Sequence, residues 1–336
     1  PRTVVGESRA GVPATAVLEA GEAIRISTGA AVPAGATAVV AQEQVTVYSD
    51  QIRVDGPVAE GQHIRGPGED MRAGTTVLAA GTRLGAVELG AAVAAGAGTV
   101  SVSTRPRVSV LCTGDELRAP GEPLRPGEIH NSNAPMLTGL SARAGGLTGS
   151  AGRLPDDRGA TVTGIAAALE ESDLVIISGG VSVGPHDHVK PALNELGVQE
   201  VFWRVALQPG KPTWFGTQNG RRLVFGLPGN PVSAVVTFSL FVQPALAAMQ
   251  GQHAPPASAH AVLGADVRRN PAREQAVRVR LQRGPAQTVA VPNGSQGSHI
   301  LTSLLGADAL AMVPAGEGVL PAGATVALVA LAAGSA

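Results

Sequence analysis

A chain of 336 residues, 44% of them apolar, is too long for one ordinary domain core and carries enough apolar side chains to fill two to four. Its 25 basic and 26 acidic residues nearly cancel, so composition supplies no electrostatic footprint for nucleic acid or an anionic membrane, and any anion must be held by local geometry. The lone Cys112 excludes an intramolecular disulfide and a multi-cysteine zinc site, reads as a small core residue, and suits a reducing, cytoplasmic setting. Neither a membrane span nor a signal peptide is expected, because no apolar stretch of about eighteen residues runs uninterrupted and the chain opens Pro1-Arg2-Thr3. Residues 1–20 read as the middle of a strand-rich region, so the chain is expected to be a fragment that lacks its natural beginning.

From residue 1 to 72, apolar runs such as Ala38-Val39-Val40 and Val45-Thr46-Val47 alternate with Pro and Gly turns, which predicts a small β domain. Residues 73–105 read as a connecting unit: Leu84, Val87, Leu89 and Val93 fall at helical spacing over 83–95, and 99–102 is predicted extended. Pro106 marks a boundary. Over 106–252 strand and helix signals alternate: strand 107–112, helix 132–144, strand 147–153, helix 157–171, strand 173–178, helix 188–196, extended stretches near 199–206 and 213–226, helix 231–249. That rhythm predicts an α/β domain with a mostly parallel sheet between helical layers. The Pro- and Ala-rich stretch 253–258 reads as a linker opening a C-terminal β domain over 253–336, with strands at 277–281, 288–291 and 325–329.

In an open parallel sheet, ligands settle at the carboxyl ends of the strands. The sequence places its polar motifs there. Strand 107–112 runs into Thr113-Gly114-Asp115-Glu116, strand 147–153 leads to Asp156-Asp157, and strand 173–178 runs into Ser178-Gly179-Gly180-Val181-Ser182-Val183-Gly184 and then Asp187. Glycines without a Cβ let backbone N–H groups approach an anion closely, so this loop reads either as a phosphate cradle or as a plain strand-to-helix turn. Acidic side chains brought to one rim repel unless a proton or a hard cation such as Mg²⁺ intervenes, although each alone also reads as a helix cap or a solvated turn residue. Gln208-Pro209-Gly210-Lys211-Pro212, with Arg204 upstream, sets a cation in a rigid turn. In Gly226-Leu227-Pro228-Gly229-Asn230-Pro231, Asn230 is the predicted N-cap of the next helix, whose N-terminus is either an anion site or a capped core helix.

Together these motifs closely resemble the molybdopterin molybdenumtransferase (MoeA) family over nearly the whole length. The resemblance rests on Thr-Gly-Asp-Glu-Leu at 113–117, Gly-Glu-Ile-His-Asn-Ser-Asn at 127–133, Ser-Gly-Gly-Val-Ser-Val-Gly at 178–184, Pro-Gly-Lys-Pro at 209–212 and Gly-Leu-Pro-Gly-Asn-Pro-Val-Ser-Ala at 226–234. Ser-Thr-Gly-Ala-Ala-Val-Pro-Ala-Gly at 27–35, Arg-Gly-Pro-Gly-Glu-Asp at 65–70 and Gly-Ser-His-Ile-Leu-Thr-Ser at 297–303 extend it to the flanks. It implies a central three-layer α/β molybdopterin-binding domain between N- and C-terminal β domains, and an enzyme that inserts molybdate into adenylylated molybdopterin with Mg²⁺ and releases AMP. Carried over by motif position, Thr28, Asp70, Glu116, Asp156 and Asp187 are the catalytic residues, the last three also ligands of the metal. Thr113, Gly114, Ser178, Gly179, Gly180, Ser182, Gly210, Lys211, Pro228, Gly229, Asn230, Arg204 and Ser298 bind the pterin nucleotide or an oxyanion. The resemblance further implies a cytoplasmic homodimer in which Thr28 and Asp70 act across the interface, and a molybdopterin adenylyltransferase as upstream partner.

Two departures bear on activity. Gln208 stands where the family usually carries lysine, and the Ser-Ala-Met-Asp-Gly-Tyr-Ala segment is absent. A scaffold homologue with lost catalysis, and the preceding adenylyl transfer itself, are the rival readings.

Overall fold

The computed structural model describes residues 1–181, 184, 187–252, 259–285 and 287–331; Ser182 and the linker expected at 253–258 lie outside them. The chain divides into two compact units, one of Pro1–Ala79 with Ala86–Gly98, the other of Ala80–Gly85 with Thr99–Ala336.

In the first unit, β1 (Arg2–Ser8), β2 (Glu22–Ile26), β3 (Val45–Tyr48) and β4 (Gln51–Val54) form one sheet in the order β2-β1-β4-β3, and α1 spans Ala86–Ala94. Two sequence expectations fail here. Val39 donates its N–H to Gln62 O across a loop (2.9 Å), so 38–40 joins no strand. Residues 99–102 join none either, with Val100 and Val102 exposed. Ala92 and Pro33 are the buried apolar side chains among residues 1–98, while Val5, Val12, Val17, Val87, Leu89 and Val93 are exposed. An apolar unit with so little interior of its own has surface left to cover.

The second unit opens with β5 (Arg107–Thr113), the short pair β6 (Leu117–Arg118) and β7 (Ile129–His130), α2 (Asn133–Arg143), β8 (Leu147–Leu154), α3 (Arg158–Glu171), β9 (Leu174–Ser178) and α4 (Val189–Glu195). There follow β10 (Gln199–Trp203), β11 (Leu207–Gln208), β12 (Trp214–Gln218), β13 (Arg222–Leu227), α5 (Pro231–Thr237) and α6 (Gln243–Met249). The sheet order is β10-β12-β13-β9-β5-β8, parallel from β13 to β8 and antiparallel at the β10-β12-β13 edge. The sheet is thus parallel-rich and mixed. β9 is buried along its whole length because helices cover both faces, which is why its sequence is a continuous apolar run rather than an alternation. Ile176 joins the layer of α2, α5 and α6 through Leu137, Val235 and Leu246. Ile177 joins that of α3 and α4 through Ile165, Leu169 and Leu193. Each buried isoleucine contributes roughly 1.5–3 kcal/mol.

The helix expected over 231–249 is present but interrupted: residues 238–242 take a π-helical turn between α5 and α6. Pro244 has no N–H and its ring crowds the carbonyl one turn back, which a wider turn relieves. This 19-residue run is long and apolar enough to cross a bilayer, yet its Val232, Val236, Phe238 and Val242 are fully buried in the core.

The C-terminal part holds β14 (His260–Leu263), β15 (Val267–Arg268), β16 (Glu274–Arg283), β17 (Thr288–Pro292), β18 (Ala309–Val313), β19 (Val319–Leu320) and β20 (Thr325–Ala330). Pairings β16-β17-β14-β20-β18 return to β16 and close a small barrel around Val279, Ala290, Ala311, Val313 and Leu328. β11 adds to it in parallel, Leu207 beside Glu274 and Gln208 beside Gln275, so one strand of the α/β segment is stitched into the barrel.

Candidate functional site

The carboxyl ends of β5, β9 and β13 gather one group of predicted residues. Gly179 has φ +94° and Gly180 φ +67°, backbone that favours glycine, and both stay partly open to solvent. Gly179 N–H donates to Leu227 O at 3.0 Å, which ties the loop after β9 to the end of β13. A Cβ on Gly179 would lie 2.7 Å from Thr113 Oγ1, and one on Gly229 would lie 3.7 Å from Gly179 Cα. Ser178 Oγ donates to Pro228 O at 3.3 Å. Thr113, Ser178, Gly179, Gly180, Pro228 and Gly229 therefore form one bed of main chain and small hydroxyls.

Asn133 locks this bed, and sequence reasoning passed it over. Its Nδ2 donates to Ser178 Oγ at 2.9 Å and to Gly229 O at 2.7 Å. Its Oδ1 is buried with no protein partner. A buried acceptor left unmatched costs about 1–3 kcal/mol, so this atom favours a ligand or solvent that brings a donor. The available signal was position: Asn133 closes the 127–133 motif and opens α2.

The acidic residues divide. Asp115 and Asp156 cross-brace the loops after β5 and β8: Asp115 N–H donates to Asp156 Oδ2 (3.4 Å) and Asp156 N–H to Asp115 Oδ1 (3.3 Å). Asp157 instead caps α3, its Oδ1 accepting from Ala160 N–H at 2.8 Å. The Glu116 carboxylate folds over Gly114 so closely that a Cβ there would displace it, which is what φ +139° and glycine at 114 permit. Asp187 Oδ2 accepts from Gly184 N–H at 3.0 Å and closes a turn. Among the described residues no three His, Cys, Asp or Glu side chains lie close enough to hold a metal, so Glu116, Asp156 and Asp187 do not form a ready-made cage. Cys112 takes no part: burial pushes its thiol up to about 11, against a lowering contact with Asn131.

A second group surrounds β11. Arg204 holds φ +67°, its N–H donating to Thr213 O, and Val205 N–H donates to Lys211 O, so Arg204 and Lys211 flank one turn. Gly210 packs against Thr237 of α5, where a Cβ would lie 2.6 Å from Thr237 Cγ2. Gln208 Oε1 accepts from Asn270 Nδ2 at 2.6 Å, a bond that a lysine could not accept. The side chain at 208 is thus turned to the barrel junction. Asn230 sits at the N-cap of α5 but makes no capping bond; its Nδ2 donates to Ser298 Oγ at 3.1 Å, and Val232 N–H donates to Ser298 O. The barrel loop thereby takes up an amide that the sequence offered to an anion.

Beside Ser298 lies a residue that sequence reasoning missed altogether. Arg278 is 1% exposed and has no carboxylate partner among the described residues. Its guanidinium donates to Ser303 Oγ, Ser295 O and Gly297 O. Burial pushes its pKa down to about 10. A buried cation without a countercharge is costly, and an oxyanion would offset that cost. Thr28 and Asp70 lie on exposed turns of the other unit.

Sheet, bed and stitched barrel define a multidomain protein built on a pterin-binding α/β domain: residues 109–248 match the family described as "Probable molybdopterin binding domain". Residues 1–96 match the MoeA N-terminal region (domain I and II), and residues 260–331 the MoeA C-terminal region (domain IV). The chain is 36% identical to the molybdopterin molybdenumtransferase of Haemophilus influenzae over 335 residues, 96% of this chain and 81% of that protein. It is 41% identical to molybdopterin molybdenumtransferase 2 of Mycobacterium tuberculosis over 238 residues, 68% and 57% of the two. A crystal structure of a molybdopterin biosynthesis MoeA protein from Pyrococcus horikoshii superposes with TM-score 0.79 at 32% identity, covering 97% of this chain and 80% of that one. The chain belongs to the MoeA family.

Proposed function

We propose that this chain carries the molybdopterin molybdenumtransferase activity named in its relatives: insertion of molybdate into the dithiolene of adenylylated molybdopterin, with release of AMP. The observation that carries the reading is the Gly179–Gly180 bed, open to solvent, framed by Thr113, Ser178 and Gly229 and fixed by Asn133. Its small residues leave room for an anionic group to approach the main chain closely. Mg²⁺ fits the donor set without a protein cage, because this ion keeps water and binds through one or two carboxylates together with ligand phosphates; Glu116 or Asp156 would supply them, Asp187 standing at the far end of the loop. Bound there, it would offset charge on the diphosphate. The acidic side chains orient the water that adds to the diphosphate linkage, so that one P–O bond forms, another breaks and AMP leaves. Arg204, Lys211, Ser298 and Arg278 hold the metal oxyanion by charge and hydrogen bonds. Thr28 and Asp70 act across the interface of a homodimer.

The E116Q variant tests the acidic role. AMP release from adenylylated molybdopterin is expected to fall on the order of 10²-fold with an unchanged melting transition. Retained turnover would remove Glu116 from the chemistry, and a scaffold would show no AMP release even in wild type. Formation of adenylate from ATP and molybdopterin would instead favour the preceding transfer.

A homodimer would cover exposed valines and leucine of the first unit. Light scattering at micromolar concentration is expected to return twice the 33.6 kDa chain mass, and a monomer mass would refute the arrangement.

A further inference from the structure

At the edge of the glycine bed three side chains meet that the activity described so far does not fully use: Trp203, Lys190 and Arg204. Trp203 closes β10, and its indole N–H donates to Val181 O at 3.1 Å, one residue beyond Gly180. Lys190 Nζ lies 3.2 Å from the centroid of the Trp203 ring, and the Arg204 guanidinium carbon 4.1 Å from it. Neither cation forms an ion pair among the described residues. Two like charges drawn to one ring repel each other. The ring face returns about 0.5–2 kcal/mol to each, which steadies them without neutralising them. Arg204 also holds φ +67°, sparsely populated by residues with a Cβ, its N–H bonded to Thr213 O.

We propose that Lys190 and Arg204 form an oxyanion clamp at the rim of the bed and that Trp203 is its positioning residue, holding the Val181 carbonyl with its N–H and both cations with its ring. The ligand class is a tetrahedral oxyanion, either a phosphoryl group of the nucleotide or the metal oxyanion. The clamp rests on the reading given under Proposed function and adds Lys190 and Trp203 to it. Lys190 is half-buried, with its ammonium over the Trp203 ring and its neighbour Val189 packed where a Cβ on Gly180 would stand, 2.7 Å from Val189 Cγ2.

Calorimetric titration of the protein with sodium molybdate and with inorganic pyrophosphate tests the clamp. K190M, which keeps the apolar stem over the ring, is expected to weaken one of the two anions about tenfold, and K190R to restore it. Loss confined to pyrophosphate assigns the clamp to the phosphoryl group, and loss confined to molybdate assigns it to the metal oxyanion. W203F keeps the ring but loses the N–H, and is expected to raise KM for the adenylylated pterin with kcat little changed; W203L is expected to lower anion affinity as K190M does. K190Q guards against a folding defect in K190M. Wild-type binding retained by K190M and K190Q overturns the clamp alone. A wild-type chain that binds neither anion and releases no AMP overturns both the clamp and the reading beneath it.

Discussion

Replacing Gly179 by alanine is expected to reduce AMP release by about 10²- to 10³-fold, because it distorts the loop that frames the bed, tied to the end of β13 by Gly179 N–H on Leu227 O. Two effects combine. At φ +94° a residue with a Cβ is strained by about 1–3 kcal/mol. The added carbon would also stand 2.7 Å from Thr113 Oγ1 and 3.1 Å from Thr113 O. The hydroxyl can rotate away. The carbonyl cannot, because it belongs to the end of β5 in the middle of the sheet, so the loop must move and its Gly179 N–H bond to Leu227 O is disturbed. Gly197→Ala separates strain from site geometry: Gly197 has φ +72° but no atom within 4 Å of its Cβ position. G197A should lower the melting temperature by a few degrees and keep its turnover, whereas G179A should lose both. Wild-type turnover in G179A would mean that this loop never meets the substrate.

The elements around this loop were legible because their signals are local. An unbroken apolar run from Leu174 into Ser178 and two glycines can only be a covered strand ending in a turn, and β9 ends at Ser178. What the sequence hides is pairing at a distance. Asp156 and Asp157 are alike on paper; in the fold one braces Asp115 and the other caps α3, because the chain turns between them. Val277-Arg-Val-Arg-Leu281 reads as a strand with one wet face, yet residues 276–279 are all buried, since the loop carrying Ser295, Gly297 and Ser303 closes over the side that should have been polar. Arg278 vanished from view for that reason. Gln208 likewise looks like a lost charge until β11 is seen to join the barrel and Asn270 to claim its amide oxygen. The loop after β9 is thus written in adjacent residues, while the burial of Arg278 is written in contacts with a loop that follows its strand.

Arg278→Met should separate binding from folding. At neutral pH the guanidinium is charged in both the folded and unfolded chain, but burial has lowered its folded-state pKa to about 10, so the fold carries an electrostatic penalty at every pH below that value. The penalty fades only as pH climbs from about 10 toward the ordinary guanidinium range. Methionine removes it. Against this gain, three acceptors lose a charged donor, each such bond worth roughly 1.5–3 kcal/mol, although Ser295 is exposed and Gly297 partly so, which lets water replace part of the loss. The two effects nearly offset, and the melting temperature of R278M should stay within several degrees of wild type. Binding has no such compensation. An oxyanion meeting Arg278 exchanges a desolvation cost for a charge-assisted bond, so its loss should weaken molybdate by about 100-fold, near 2.7 kcal/mol. Molybdate at a hundred times its dissociation constant should raise the wild-type stability by about 2.7 kcal/mol and leave R278M almost unmoved at the same concentration. A variant that keeps the molybdate-induced shift would make Arg278 a structural tie for the 295–303 loop and place the oxyanion elsewhere; one that unfolds outright would show that its three hydrogen bonds outweigh its unpaired charge.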